Sequence, residues 1–251
     1  MSKNKKPSGI KKVLSSTAVK LINFLLYLLK NREHFDLSRE EVRSFRMSFS
    51  QFGEDVIIDE FFKRTGVPKG TYIDIGAYDP VQFSNTLLLH KKGWQGINID
   101  INPRKIERFN AHRPEDTNIV AAIGKPGETY CLQYEGSPKE RLVLLENATD
   151  ANDDTIVRTQ TVEECLRATS YNYDSIDYVN IDCEGNDLEV LKQINLATMK
   201  PLLISIEALG QQEVDEIRSY LEQRNYVLSN KMHWTLIFVQ SDVKSHTPTL
   251  K

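Results

Sequence analysis

Two groups of acidic and small residues have the spacing of a ligand site. Asp74, Gly76 and Ala77 end a short apolar run, Tyr72, Ile73 and Ile75, and Asp100 ends a second run, Ile97 and Ile99, 26 residues after Asp74. Gly76 and Ala77 leave room for a ligand against the backbone, and an acid at the carboxyl end of the next strand can accept hydrogen bonds from a ribose diol. A nucleoside-containing cofactor is therefore expected. Dinucleotide binders use G-x-G-x-x-G to seat a pyrophosphate on a helix N-terminus, whereas here Tyr78, Asp79 and Pro80 fill the turn after Gly76. Acids in that turn would repel a pyrophosphate. They suit a cationic cofactor such as S-adenosylmethionine, which bears a sulfonium and an ammonium beside its adenosine. The plainer role for Asp74 is to turn the strand end. The second group is Asp182 and Glu184 after the run IDYVNI, with Glu207 ending PLLISIE.

An α/β domain must position these residues. The stretch 71–103 reads as strand, tight turn, helix and strand, the first half of a nucleotide-binding βαβ unit. Before it, Ser50 or Gly53 starts a helix over DVIIDEFFKRT. Within it, Ser84, Asn85 and Thr86 enter a helix over NTLLLHKKGW that Gly93 closes, with His90 as a charge partner late in that helix. RKIERFNAHR is expected to be a second helix and RPEDTNIVAAIG a turn and third strand. Residues 125–160 are less regular, with an antiparallel excursion around TYCLQYEG and a loop over NATDANDDT. Thr161 and Glu164 have capping-box spacing for a helix over TVEECLRAT. IDYVNID then forms the fourth core strand, DLEVLKQI a helix, PLLISIEAL the fifth strand and QEVDEIRSYLEQRN an amphipathic helix. YVLSN and WTLIFVQ close the sheet as an antiparallel pair, with Lys231, Met232 and His233 at or near the turn. In such doubly wound sheets ligands bind at the carboxyl ends of the strands.

A chain of 251 residues, 40% hydrophobic, suits one α/β core with an extension. Its net charge of −3 is unevenly spread: residues 1–32 hold eight Lys or Arg and no acid, leaving 24 basic against 35 acidic residues in the rest. An acidic body without a basic stripe argues against nucleic acid as a partner. Cys131, Cys165 and Cys183 form no C-x-x-C pair, which fits the reducing cytoplasm, no zinc site and three small buried side chains. No metal is assigned, although Asp182, Glu184 and Asp187 are oxygen donors of the kind Mg²⁺ takes.

Residues 1–12 form a basic polar tail, and 13–30 a helix whose unbroken apolar core, LINFLLYLL, has nine residues. A bilayer span needs about 20. The helix either lies on the anionic inner face of a membrane, a peripheral contact through residues 1–30, or packs on protein. The expected divisions are an extension over 1–45, a catalytic domain over 46–245 and a frayed tail over 246–251.

The stretches SQFGEDVIIDEFF (50–62), YIDIGAYDP followed by SNT (72–86), KKGWQGINIDINP (91–103), RPEDTNIVAAIG (113–124) and IDYVNIDCEGNDLEVL (176–191) resemble, in order, the FkbM family of S-adenosylmethionine-dependent methyltransferases. The resemblance implies a Rossmann-like α/β fold of the class I methyltransferases: a mostly parallel sheet with a C-terminal antiparallel strand, here preceded by a helical extension. It implies methyl transfer to a hydroxyl, on a small-molecule or glycan acceptor such as a saccharide, a glycolipid or a related metabolite. It also implies cofactor contacts from Asp74, Gly76, Ala77, Asp100 and Asp182, and sets Ser84 and Asn85 at the cofactor-facing end of the first helix. Gln51 and Asp55 would stand over the cleft, and Asp116, with Asn118 beside it, would reach the adenine amino group. The family usually carries Glu where Asp187 stands.

Methyl transfer from a sulfonium is an in-line displacement, so the protein must align the reactants, exclude water and accept a proton. A positioned base contributes about 10²- to 10⁴-fold. Asp182 is the first candidate and Glu184 the second; Glu207 shares their edge, and His233 serves if the closing hairpin folds over the cleft. Their plainer roles are to bond turn amides and to support the loops. Two other classes compete: a nicotinamide-dependent oxidoreductase or epimerase, which the missing glycines oppose, and a non-catalytic recruitment module, which has no use for the full set of acids.

Overall fold

The strands that carry the acids are nearly continuous apolar runs, and such strands are stable only with both faces covered. The computed structural model describes residues 16–29, 37–124, 127–134, 140–144, 156–167 and 169–244, in two units, Met1–Met47 and Ser48–Lys251.

In the first unit, α1 (Ser16–Leu29) is followed by α2 (Arg39–Ser44). The Asn23 side chain donates to Leu37 O at 2.9 Å and accepts from Leu37 N at 3.2 Å. Ser38 and Glu41 form a reciprocal capping box at the start of α2. Val19 of α1 is buried, while Leu21, Phe24 and Leu25 are exposed. No helix among the described residues is long and apolar enough to cross a membrane. The basic tail lies outside the described residues.

In the second unit, α3 (Glu54–Thr65) precedes β1 (Thr71–Ile75), α4 (Leu87–His90), β2 (Gln95–Asp100), α5 (Pro103–His112) and β3 (Thr117–Val120). Next come β4 (Ala122–Ile123), β5 (Thr129–Tyr134), β6 (Glu140–Leu144), β7 (Ile156–Gln160) and α6 (Val162–Arg167). The rest is β8 (Tyr178–Ile181), α7 (Asp187–Lys192), α8 (Leu196–Met199), β9 (Leu203–Glu207), α9 (Gln211–Glu222), β10 (Tyr226–Met232), β11 (Thr235–Gln240) and α10 (Ser241–Lys244). The main sheet runs β10-β11-β9-β8-β1-β2-β3; β9, β8, β1, β2 and β3 are parallel, and β11 joins β9 antiparallel. The chain order reverses between β1 and β8, the switch point at which doubly wound sheets open a crevice. One face packs Ile73, Ile75, Val179 and Ile181 with Val190, Val214 and Ile217 of α7 and α9; the other packs Tyr72 and Tyr178 with Ile58 and Phe62 of α3.

Two expectations are revised. The helix expected over NTLLLHKKGW is one turn, Leu87–His90, because residues 79–86 are held in turns by side-chain bonds described below. The antiparallel excursion is a small separate sheet, β4-β7-β5-β6, which begins when the chain leaves β3 after Val120. The loop expected over NATDANDDT lies outside the described residues. Thr161 and Glu164 do form the capping box, each bonding the other's backbone amide at 2.7 and 3.1 Å.

Candidate active site

The carboxyl edge is closed by backbone bonds that leave no room for a side chain at residue 76. Gly76 N and Ala77 N both donate to Ile99 O, at 2.9 and 3.0 Å, and Asp182 N donates to Ile75 O at 2.9 Å. Gly76 has φ +80°, and a Cβ there would stand 1.8 Å from the Asp182 carbonyl oxygen. Only glycine satisfies both the conformation and the contact. The first strand turn is thereby pressed against the loop after β8. Asp100 ends β2, where its carboxylate accepts from Tyr78 N at 3.0 Å and Asn102 N at 2.8 Å. Lys105 Nζ stands 3.8 Å from the same carboxylate, which is 5% exposed.

Asp182, Cys183, Glu184 and Gly185 form the loop over β8. Asp187, fully buried, accepts from Cys183 N at 2.8 Å and Gly185 N at 2.9 Å and so fastens the loop from the first turn of α7. Burial pushes its pKa up to about 6 against those two bonds. Glu184 takes the left-handed conformation, φ +51°, and is exposed. Asp182 is raised well above the usual carboxylate range, by crowding protein atoms first and then by Glu207, Asp187, Glu184 and Asp74. Its surface is open to solvent on one side, so the neighbouring carboxylates are the firmer cause. Such a cluster favours either a shared proton or a cation. Among the described residues no group of three or more His, Cys, Asp or Glu could hold a metal ion; Asp187, one of the three oxygen donors considered for Mg²⁺, spends its oxygens on backbone amides. Burial, with Asp187, Asp182 and Asp100 near, pushes the Cys183 thiol up and leaves it a poor nucleophile.

Beneath this edge runs a polar row that the sequence reading missed. Asp74 pairs in register with Asn98 and Asn180, and Asn180 with Ser205, so four adjacent parallel strands each bury one polar residue at one level. The signal is present in the sequence as IDI, INI, VNI and ISI. Asn180 donates to Asp74 at 2.8 Å and accepts from Ser205 at 2.5 Å and Asn85 at 3.0 Å. Thr86 donates to Asp74 at 2.7 Å and accepts from Arg113 at 2.8 Å. Arg113, with no exposed surface, also donates to Pro80 O and to Ser84 Oγ at 2.7 Å. Burial raises the Asp74 carboxyl, opposed by Asn180, Thr86 and Arg113.

These contacts correct three of the expected ligand contacts. Asp74 is 2% exposed with both oxygens bonded inside the protein, so it supports the edge from below. Ser84 caps Thr86 N and Leu87 N and receives Arg113, and Asn85 turns inward to Asn180; neither is aimed at the cleft. Asp79, one of the acids expected to repel a pyrophosphate, accepts from Val81 N and Gln82 N and pairs with Arg108 at 2.7 Å. The acids at the edge are instead Asp100, Asp182, Glu184 and Glu207.

Asp116 is corrected more sharply. β3 begins at Thr117, opposite Ile97, so Asp116 precedes the strand and lies at the amino edge, away from the crevice. It accepts from Gly96 N at 3.0 Å, from Asn98 at 3.1 Å and from the Tyr72 hydroxyl, and it lies 3.4 Å from His90 Nδ1. Burial alone would raise it, but His90, Tyr72 and Asn98 together hold it below the usual carboxylate range. An adenine cannot be reached from there. Asn118 is likewise occupied, by Asn98, Asn110 and Arg113 O.

At the other end of the crevice, the β10–β11 turn does reach the carboxyl edge: Thr235 pairs with Glu207, and Ala208 N donates to Trp234 O at 2.8 Å. His233 has φ +49° and is exposed, its ring centroid 3.9 Å from that of Phe52. Gln51 is exposed beside this pair in sequence, whereas Asp55 is buried and accepts from Ser48, Ser50 and Phe49 N, which makes it a turn organiser. Gly76, Ala77, Asp100, Asp182, Glu184, Glu207 and His233 therefore share the carboxyl edge; Asp74, Ser84 and Asn85 lie beneath it, and Asp116 opposite.

A crystal structure of the N-terminal domain of human METTL16 in complex with SAH is similar at 10% identity and TM-score 0.43, over 89% of this chain and 82% of that one. A TehB-like SAM-dependent methyltransferase from Corynebacterium glutamicum is similar at 11% identity and TM-score 0.41, over 90% of this chain and 100% of that one. An S-adenosyl-L-methionine-dependent methyltransferase, described as putative, from Methanococcus maripaludis is similar at 11% identity and TM-score 0.42, over 96% of each chain. A search of curated proteins gave no match. The profile of the methyltransferase FkbM domain matches residues 74–228, more than half of the chain, from within β1 to within β10. By that match the chain, with its Rossmann-like class I methyltransferase fold, belongs to the FkbM family of S-adenosylmethionine-dependent methyltransferases.

Proposed function

We propose that this protein is an O-methyltransferase that uses S-adenosylmethionine to methylate a hydroxyl of a saccharide, a glycolipid or a related metabolite. One observation carries the catalytic part: Asp182 ends a buried strand against the Gly76 turn, with Glu207 and Glu184 around it, and its carboxyl is raised. The residues at the edge fit the cofactor by their chemistry. Asp100 suits the ribose diol, the small Ala77 a close backbone approach, and the carboxylate cluster a positively charged ligand.

S-adenosylmethionine, when bound, supplies a methyl group on a good leaving group. The chain does the rest. Asp182 ionises more readily with a positive charge beside it, and its carboxylate accepts the proton of the acceptor hydroxyl. Glu184 and His233, both in strained left-handed conformations at the mouth, position the acceptor. The basic residues 1–30 hold the enzyme at the inner face of a membrane, a reading supported by eight cations without an acid in residues 1–32.

Calorimetric titration of the full chain with S-adenosylmethionine, S-adenosylhomocysteine and NAD tests the cofactor. Micromolar binding of the adenosyl compounds, about −8 kcal/mol, with none of NAD, is the expected result. A screen with labelled methyl groups over saccharides and lipid-linked saccharides then tests the acceptor; methylation confined to amines would refute the O-transfer reading.

A further inference from the structure

The β10–β11 hairpin turns on residues that its geometry disfavours. Met232 pairs with Thr235, so the turn consists of His233 and Trp234 alone, and His233 holds a φ of +49°. Two-residue hairpin turns favour Asn and Gly, which tolerate positive φ. Here both positions carry large rings, and Trp234 is 46% exposed. Strain of this kind persists where the surroundings hold it, and it clusters at functional sites. The surroundings are aromatic too. The ring centroid of Phe52 lies 3.9 Å from that of His233 and 6.0 Å from that of Trp234, and those of His233 and Trp234 are 5.8 Å apart. Three rings from two distant segments thus form one contiguous surface.

Buried carboxylates fasten the two segments. Glu54 accepts from Phe52 N at 2.8 Å, and its second oxygen stands 3.5 Å from Thr235 Oγ1. Asp55 accepts from Ser48, Ser50 and Phe49 N, which fixes the loop that presents Phe52. The resulting platform stands on the far side of Asp182 from Asp100. In the sheet order β2 lies two strands from β8 in one direction and β11 two strands in the other, roughly 10 Å each way at about 4.8 Å per strand. A nucleoside held at Asp100 occupies the β1–β2 side. The β9–β11 side, where Glu207 pairs with Thr235, is left to the acceptor.

The chemistry of this side narrows the ligand. Three side chains are far fewer than the roughly 20 to 30 per partner of a stable protein interface, so the platform fits a small molecule. Asp182, Glu184 and Glu207 at the same edge oppose an anionic ligand and offer acceptor oxygens to hydroxyls. Exposed ring faces take an apolar surface. A pyranose meets both demands, because the C–H bonds on one face of its ring are apolar and its hydroxyls fan out from the rim. We propose that Phe52, His233 and Trp234 form the acceptor's specificity platform, stacking on the C–H face of a pyranose and aiming a rim hydroxyl at Asp182. Glu54 is the positioning residue that holds Phe52 to the hairpin. This assignment rests on the saccharide acceptor proposed above, but its test reads binding without methyl transfer, so the two can fail separately.

Trp234 is a built-in reporter, since the other tryptophan, Trp94, is 2% exposed in the core. The full chain, with and without S-adenosylhomocysteine, is titrated with the methyl pyranosides of glucose, galactose, mannose, fucose and rhamnose, and with sorbitol, a polyol without a ring. At least one pyranoside should shift the Trp234 emission saturably and shield it from acrylamide, whereas sorbitol should do neither. Phe52→Ala should weaken that binding about tenfold, with an unchanged circular dichroism spectrum and S-adenosylhomocysteine affinity. Glu54→Ala should act like Phe52→Ala, and Glu54→Gln, which keeps an oxygen acceptor for Phe52 N, should restore binding. Labelled methyl found only on amines, with a pyranoside still shielding Trp234, would refute O-transfer but support the platform. Shielding by no pyranoside, equal shielding by sorbitol, or undiminished pyranoside binding in Phe52→Ala would overturn the platform. So would shielding by S-adenosylhomocysteine alone, which would seat the cofactor on these rings.

Discussion

A Cβ on Gly76 would stand 1.8 Å from the carbonyl oxygen of Asp182, so the two loops that frame the crevice touch backbone to backbone. The contact joins the loop after β1 to the loop after β8 and fixes their separation. Gly76→Ala must both strain a φ of +80° and push the loops apart. We expect a loss of about 2 to 4 kcal/mol, combining the cost of a side chain at positive φ with that of overpacking. Urea denaturation measures it, and a loss below 1 kcal/mol would show that the loops separate freely.

Asp100 and Asp182 should fail differently when replaced. Asp100→Ala removes the orienting bonds from Tyr78 N and Asn102 N and should weaken S-adenosylhomocysteine binding at least tenfold. Asp182→Asn should lower turnover by about 10²- to 10⁴-fold with a smaller change in that affinity. Equal loss of affinity in both variants, measured by calorimetry, would undo the division of roles.

Asp187 makes stability depend on pH in a defined direction. Its pKa rises from 3.8 unfolded to about 6 folded, so the native state binds the proton more tightly. Between those values stability therefore falls as pH rises, by about 1.4 kcal/mol per unit of pKa difference, or roughly 3 kcal/mol in all. In Asp187→Asn that contribution is gone. Urea denaturation from pH 4 to 7 should show wild type losing stability relative to the variant over this window, and a difference constant with pH would count against the assignment.

Arg113 is a buried cation whose donors meet Pro80 O, Ser84 and Thr86, with Asp74 one hydrogen bond further on. Arg113→Met leaves these groups without their donor and should cost about 3 to 5 kcal/mol. Because Thr86 bonds Asp74, the loss should also loosen the first strand turn. Thermal denaturation reads the first effect and cofactor affinity the second; an affinity unchanged in folded variant protein would separate Arg113 from the site.

Glu184 holds a left-handed φ of +51° that glycine adopts without strain. Glu184→Gly should leave stability unchanged or raise it by up to about 1 kcal/mol while reducing turnover on the acceptor. A stability loss with full turnover would make Glu184 a structural residue.

The strands and their order of use were legible in the sequence because local chemistry suffices to specify them. Runs such as YIDI, GINI, YVNI and LISI are too apolar and too short for anything but buried parallel strands, and each hands its next residues to the carboxyl edge. The placement of Gly76, Asp100, Asp182 and Glu207 at that edge follows directly. What neighbours do with a side chain is not local. Asp116 reads as a turn acid like many others, and only the register of β3 against β2 puts it at the amino edge, where three donors hold it. Ser84 and Asn85 read as cap or ligand residues, and only the arrival of Arg113 and Asn180 from chain distances of 29 and 95 residues turns them inward. The sequence by itself thus determined the strand runs, the strand ends and the residue types they present. Tertiary packing decided which polar groups were left to face the crevice, because a buried donor or acceptor must find its partner wherever the fold brings one within reach.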